Sequence, residues 1–99
     1  MQAFYEPVFE RDMACTEAEW RRWLPEAVGS APWQLDGNSA RVTLGSGRLH
    51  LTWRSLPPRA IGLVRLPRLG VKFAFDGMTA DQRFAFMQRF DLYTQRGGG

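Results

Sequence analysis

The sequence predicts an α+β fold: an antiparallel sheet of about four to six strands in a meander, an N-terminal helix broken near Pro25, and a long C-terminal helix packed on one face. Three observations predict it. Two Thr-x-x-Glu/Gln signatures, Thr16 with Glu19 and Thr79 with Gln82, each stand just before an amphipathic stretch and read as capping boxes. Strict apolar/polar alternation in "RLHLTWR" and "LGVKFAFD" gives half-buried strands. Between them, short clusters of Gly, Asn, Ser and Pro mark turns every few residues.

Taken in order, "AFYEPVFE" reads as a first strand, and Pro7, having no N–H for a ladder, assigns it to an edge. The first helix follows Thr16, with Cys15 placed to pack on Trp20 as a hydrophobic staple. Trp20, Trp23, Leu24, Ala27 and Val28 then share one face. Pro25 lies too deep for a first-turn proline, so the helix is expected to kink or break there before ending at Gly29. "PWQL", "ARVTL" and "RLHLTWRS" follow as strands, turned by "DGNS" and "GSG". Pro57 and Pro58 separate "RAIGLVRL", which is apolar on both sides and reads as a central strand; "PRLG" then breaks or bulges the chain before "VKFAFD". The last helix places Phe84, Phe86, Met87, Phe90 and Tyr93 on one face, with Asp91 at its margin in position to meet an arginine.

A single domain, 1–99, accommodates all of this, with 97–99 a flexible glycine tail. A chain with 44% hydrophobic residues, four Trp and seven Phe is globular rather than disordered. One Cys and one His form neither a disulfide nor a zinc site, so no metal or cofactor is expected. No leader pattern and no apolar run of membrane-spanning length is visible, which points to a cytoplasmic protein without a membrane partner.

Charge is unevenly distributed. Through Asp36 the chain carries seven acids and three bases; from Gly37 onward it carries ten bases and three acids. No acid at all falls between Asp36 and Asp76. If the helices cover the face that bears Trp53, Phe73 and Phe75, the other face presents Arg41, Arg48, His50, Arg54 and Lys72 as a candidate anion- or partner-binding surface. Its expected partner is an acidic protein or an anionic ligand. Aromatic platforms are missing from that face, so single-stranded nucleic acid is not the expected partner. Cys15 and His50 are the one nucleophile and base on offer, and the staple and the wet strand face account for both; with no phosphate loop, serine elbow or paired carboxylates, no enzyme is expected.

The closing "RGGG" resembles the diglycine ending of ubiquitin-like modifiers and sulfur-carrier proteins, which implies an activatable C-terminus. The longer string "RFDLYTQRGGG" is similar to the end of small uncharacterised proteobacterial proteins, which carries no function with it. The order strand, helix around Pro25, meander and long terminal helix is similar to the helix-grip domains of the START and polyketide-cyclase type. That resemblance implies an apolar ligand held between Trp53, Phe73, Phe75 and the last helix.

Overall fold

The structure is a computed structural model and describes residues 4–94. Seven elements follow one another: β1 (Val8–Met13), α1 (Glu17–Val28), β2 (Trp33–Asp36), β3 (Ser39–Leu44), β4 (Gly47–Ile61), β5 (Val64–Asp76) and α2 (Ala80–Thr94). The strands form one antiparallel sheet in the order β1-β5-β4-β3-β2. Strands β2 to β5 are the expected meander, and β1 adds at the far edge beside β5.

Both capping boxes form. Glu19 N–H donates to Thr16 Oγ1 at 3.1 Å while Thr16 N–H donates to Glu19 Oε1 at 2.9 Å, and Thr79 and Gln82 repeat the exchange at 3.2 and 2.8 Å. The expected break at Pro25 is not there: α1 runs unbroken through it to Val28. Pro25 is exposed on the outer side of the helix, and the packed face of Trp20, Leu24, Ala27 and Val28 holds the helix together despite the hydrogen bond it cannot make.

The core lies on one face of the sheet. Leu49, Leu51 and Trp53 of β4 and Leu69, Val71, Phe73 and Phe75 of β5 point into it, and both helices cover them. Trp20 meets Trp53 edge-on with ring centroids 5.6 Å apart, Phe90 meets Phe73 at 5.5 Å, and Phe86 meets Phe75 at 5.9 Å. The indole N–H of Trp20 finds no partner in this packing.

Strand β1 begins one residue after Pro7 and extends three residues past "AFYEPVFE", to Met13. Phe9, Arg11 and Met13 then face inward, paired with Phe73, Val71 and Leu69. Arg11 beneath the core face is acceptable only because Asp91 of α2 receives both its terminal nitrogens, at 2.6 and 3.1 Å, with the Tyr5 hydroxyl donating to the same carboxylate at 3.0 Å. Burial and the Asp91 carboxylate push the Tyr5 phenol up. The margin position of Asp91 thus has the arginine partner its sequence position called for.

The largest departure lies at residues 56–68. "RAIGLVRL" is not a central strand: β4 continues through Pro57 and Pro58 to Ile61, the chain turns at Gly62 and Leu63, and β5 returns from Val64. Gly62 at φ 60° followed by a residue with ordinary φ meets the demand of a two-residue hairpin turn with glycine first. The bulge expected at "PRLG" falls on β4 instead, between Leu56 and Arg59, where Pro57 and Pro58 stand against Pro67 and the missing donors of both strands coincide. Neighbouring strands stop short of this segment, since β1 ends at the Met13 to Leu69 pair and β3 at the Ser39 to Thr52 pair. A two-stranded arm therefore projects from the sheet.

The Arg11–Asp91 pair yields a stability prediction. Asp91→Asn should lower unfolding free energy by about 2 kcal/mol in urea titrations, less than a fully buried pair would cost because both groups keep some solvent contact. Arg11→Met combined with Asp91→Leu should recover most of that loss. A neutral Asp91→Asn would show that the pair does not clasp β1 to α2.

Candidate functional site

The face of the sheet opposite the helices is open, and register pairing lays out its side chains in rows across the strands. One row runs Gln34, Arg41, His50, Ala74, Val8; the next Asp36, Ser39, Thr52, Lys72, Glu10; a third pairs Arg54 with Gly70 and Asp12; at the other end Thr43, Arg48 and Asp76 line up. All five predicted residues, Arg41, Arg48, His50, Arg54 and Lys72, are exposed on this one face. Arg41 and His50 are direct cross-strand partners.

The sequence does not show what antiparallel pairing brings beside them. Acids far away in the chain flank the bases: Glu10 is the partner of Lys72, Asp12 faces Gly70, and Asp36 lies on the edge strand β2. Arg48 approaches Asp76 at 3.8 Å, a long and solvent-exposed contact. Arg68 holds Asp12 with Nε at 2.9 Å and Nη2 at 2.7 Å from Oδ2 and also donates to the Pro57 carbonyl at 3.3 Å, which braces β1 against the base of the arm. Among the described residues no carboxylate lies within ion-pair distance of Arg41, Arg54 or Lys72. The face is thus a basic stripe along β4 with acidic margins.

Where the arm leaves the sheet, a concavity of about 480 Å3 opens on this face, bounded by Glu10, Asp12, Thr52, Arg54, Arg68 and Lys72 with Gly70 at its floor. Glycine matters there, because a Cβ at position 70 would stand 3.3 Å from Leu56 Cδ1 and fill the floor. Another opening, about 840 Å3, lies between the end of α1, the β3–β4 turn and α2, lined by Val28, Leu44, Met78, Phe86 and Arg89 among others. The space between Trp53, Phe73, Phe75 and α2, where the helix-grip resemblance would put a ligand, is occupied by Trp20, Phe86 and Phe90.

Cys15 and His50 are not brought together. Cys15 is buried on the core side and its thiol is pushed up to about 11 by burial and then by Glu19, whereas His50 is exposed on the open face. Among the described residues no cluster of three metal-binding side chains occurs, and no helix is long and apolar enough to cross a membrane. The tail 97–99 lies outside the described residues.

Two measurements follow from these groups. Native Cys15 should react with a thiol reagent at pH 8 only through opening of the fold, so mild urea should accelerate labelling steeply; immediate labelling without urea would contradict its burial. Hydrogen bonding from Arg68 holds Asp12 below its ordinary 3.8 against the opposing effect of burial, so its contribution is present above that value and fades as pH falls through the lower folded value. Asp12→Asn should accordingly flatten the stability profile below about pH 3.8. An unchanged acid limb would remove Asp12 from that account.

Searched against protein-family models, curated proteins and solved structures, the chain matches none of the three, so its residues alone carry the functional reading.

Proposed function

We propose that the protein is a non-enzymatic binding or adaptor module that meets an acidic protein surface or an anionic ligand with the basic stripe of its open sheet face. The observation that carries this reading is the placement of Arg41, His50 and Arg54 side by side along β3 and β4, exposed, with neither arginine in an ion pair among the described residues. Cations left uncompensated on a strand pair keep their charge available, and the planar guanidinium fork favours recognition of a carboxylate- or phosphate-bearing surface. Arg48 and Lys72 extend the stripe, each with an acid beside it that a partner would have to displace or tolerate.

The acidic margins set the partner's shape. Glu10 and Asp12 on β1, Asp36 on β2 and Asp76 at the end of β5 repel an anion that spreads across the sheet. A narrow anionic element lying along β4 suits the stripe better than a broad acidic plate.

An amide-resonance titration of the isotope-labelled protein with a short polyanion tests this. Shifts should cluster on Arg41, His50 and Arg54, persist at physiological salt, and vanish when Arg41→Glu and Arg54→Glu are combined. Shifts scattered over the surface, or untouched by the double reversal, would make the stripe ordinary solvated surface.

A further inference from the structure

The β4–β5 arm is a second and independent feature. Five residues past the sheet at 3.3 Å each, it reaches roughly 17 Å beyond its neighbours, and it contributes to a longest molecular dimension of 47 Å. Its end is apolar and in water: Ile61 is 57%, Val64 56%, Leu66 40% and Leu63 105% exposed. Four large aliphatics on a free hairpin form a patch that a solvated two-stranded ribbon would not retain for its own stability.

Charge narrows what covers it. Register puts Ile61, Val64, Leu66 and Arg59 on one side of the ribbon and Ala60 and Arg65 on the other, so Arg65 and Arg59 stand one and two pairs behind the tip formed by Ile61, Leu63 and Val64, one on each side. No acid lies anywhere on the arm. Arm against arm and arm against stripe both set arginine beside arginine, so this pattern opposes those two pairings of copies. Nucleic acid supplies phosphates, yet it gives four aliphatics no apolar medium, and the arm has no aromatic ring for base stacking. A protein that takes up a β-arm usually adds a strand to its edge, and Pro57, Pro58 and Pro67 interrupt both strands at the base of the arm, which leaves only three residue pairs at the tip for such an addition.

An acidic phospholipid surface provides both requirements at once, an anionic headgroup layer for the arginines and an acyl boundary for the tip. We infer that the arm is a membrane-docking element, with Ile61, Leu63 and Val64 at the turn entering the interface of an anionic bilayer and Arg65 and Arg59, one and two pairs further back, held at its headgroups. The two residue steps from Arg65 to Leu63 cover roughly 7 Å, within the roughly 5–10 Å to which interfacial elements bury their apolar face. Docking to that depth requires no spanning segment: only the turn and its first pair pass the headgroups, and the ribbon edges from Arg65 and Ala60 back stay where water can satisfy them.

Sedimentation with lipid vesicles tests the inference. The protein should partition into vesicles containing about one-third phosphatidylglycerol roughly 30-fold more strongly than into phosphatidylcholine alone at physiological salt, as two arginines near an anionic surface would give. Leu63→Asp with Val64→Asp should reduce that partitioning at least about tenfold while leaving the thermal midpoint unchanged, since both side chains are exposed. Arg41→Glu, remote from the arm, should leave most partitioning intact. Several results would each overturn the inference: no preference for anionic vesicles; partitioning that ignores the tip substitutions but falls with Arg41→Glu, which would make the stripe the lipid contact; a dimer in light scattering that Leu63→Asp dissociates; or tip substitutions that weaken duplex-DNA binding in a protein that leaves vesicles untouched. A polyanion that still shifts Arg41, His50 and Arg54 when vesicles fail to bind would separate failure of the arm from failure of the stripe.

Discussion

The architecture depends on one charge turned inward at a sheet edge. Arg11 sits where the alternation of β1 requires a core side chain, and the guanidinium lies over the rings of Tyr5, Phe9 and Phe73 at 5.5 to 5.8 Å while its nitrogens meet Asp91. An unpaired cation there would oppose the fold, so the docked position of β1 depends on α2 holding Asp91 at the same place. The pair therefore couples the first strand to the last helix, elements 80 residues apart. It also disfavours pairing of that edge with another chain, since an inward charge makes a misregistered β1 costly.

From this clasp the helices take their positions. With α2 fixed over β5, Phe90 and Phe86 meet Phe73 and Phe75, and Trp20 of α1 fits between Trp53 and Phe90. Arg89 of α2 donates to the Glu26 carbonyl at 3.1 Å and stacks on Tyr93, joining the helices on their outer side. Glu17 accepts from both the Trp53 indole at 3.1 Å and Arg21 at 3.0 Å, so even the first turn of α1 is tied to the sheet. Ring contacts fill the interior, and the face left over is the open one.

Much of this was legible in the residues because local chemistry decided it. Both caps, the buried face of α1, Met87 and Phe90 at the centre of the α2 face, and the alternation that separates Trp53 from Arg54 need only short-range spacing, whereas the burial of Arg83 and Thr94 on α2 does not follow from it. The arm was not legible: "AIGLVRL" is too apolar to look like a protrusion, and in such a run periodicity cannot distinguish a central strand from two short strands around Gly62. The near-symmetric pattern of proline, arginine and aliphatic residues on either side of Gly-Leu was the available signal. Pro25 misled in the opposite direction, since tertiary burial of Trp20, Leu24 and Val28 outweighs the loss of one exposed helical hydrogen bond.

The site shows the same division between local and distant information. That Arg41, Arg48, His50, Arg54 and Lys72 share a face follows from parity alone, but which of them keeps its charge free depends on strands that pair across the chain. An acid-free stretch from Gly37 to Phe75 looks like a uniformly basic surface until β1 brings Glu10 and Asp12 alongside β5. Arg68 is then absorbed by Asp12, and the braced joint of Arg68, Asp12 and the Pro57 carbonyl gives the arm a fixed base instead of a hinge. Because the bulge at Pro57 and Pro58 adds its extra residue to β4 alone, β5 keeps its parity from Asp76 to Val64. The apolar side of the arm, Ile61, Val64 and Leu66, consequently belongs by register to the same face as Arg54 and Lys72, with the braced joint of Arg68 and Asp12 standing between the arm and the stripe.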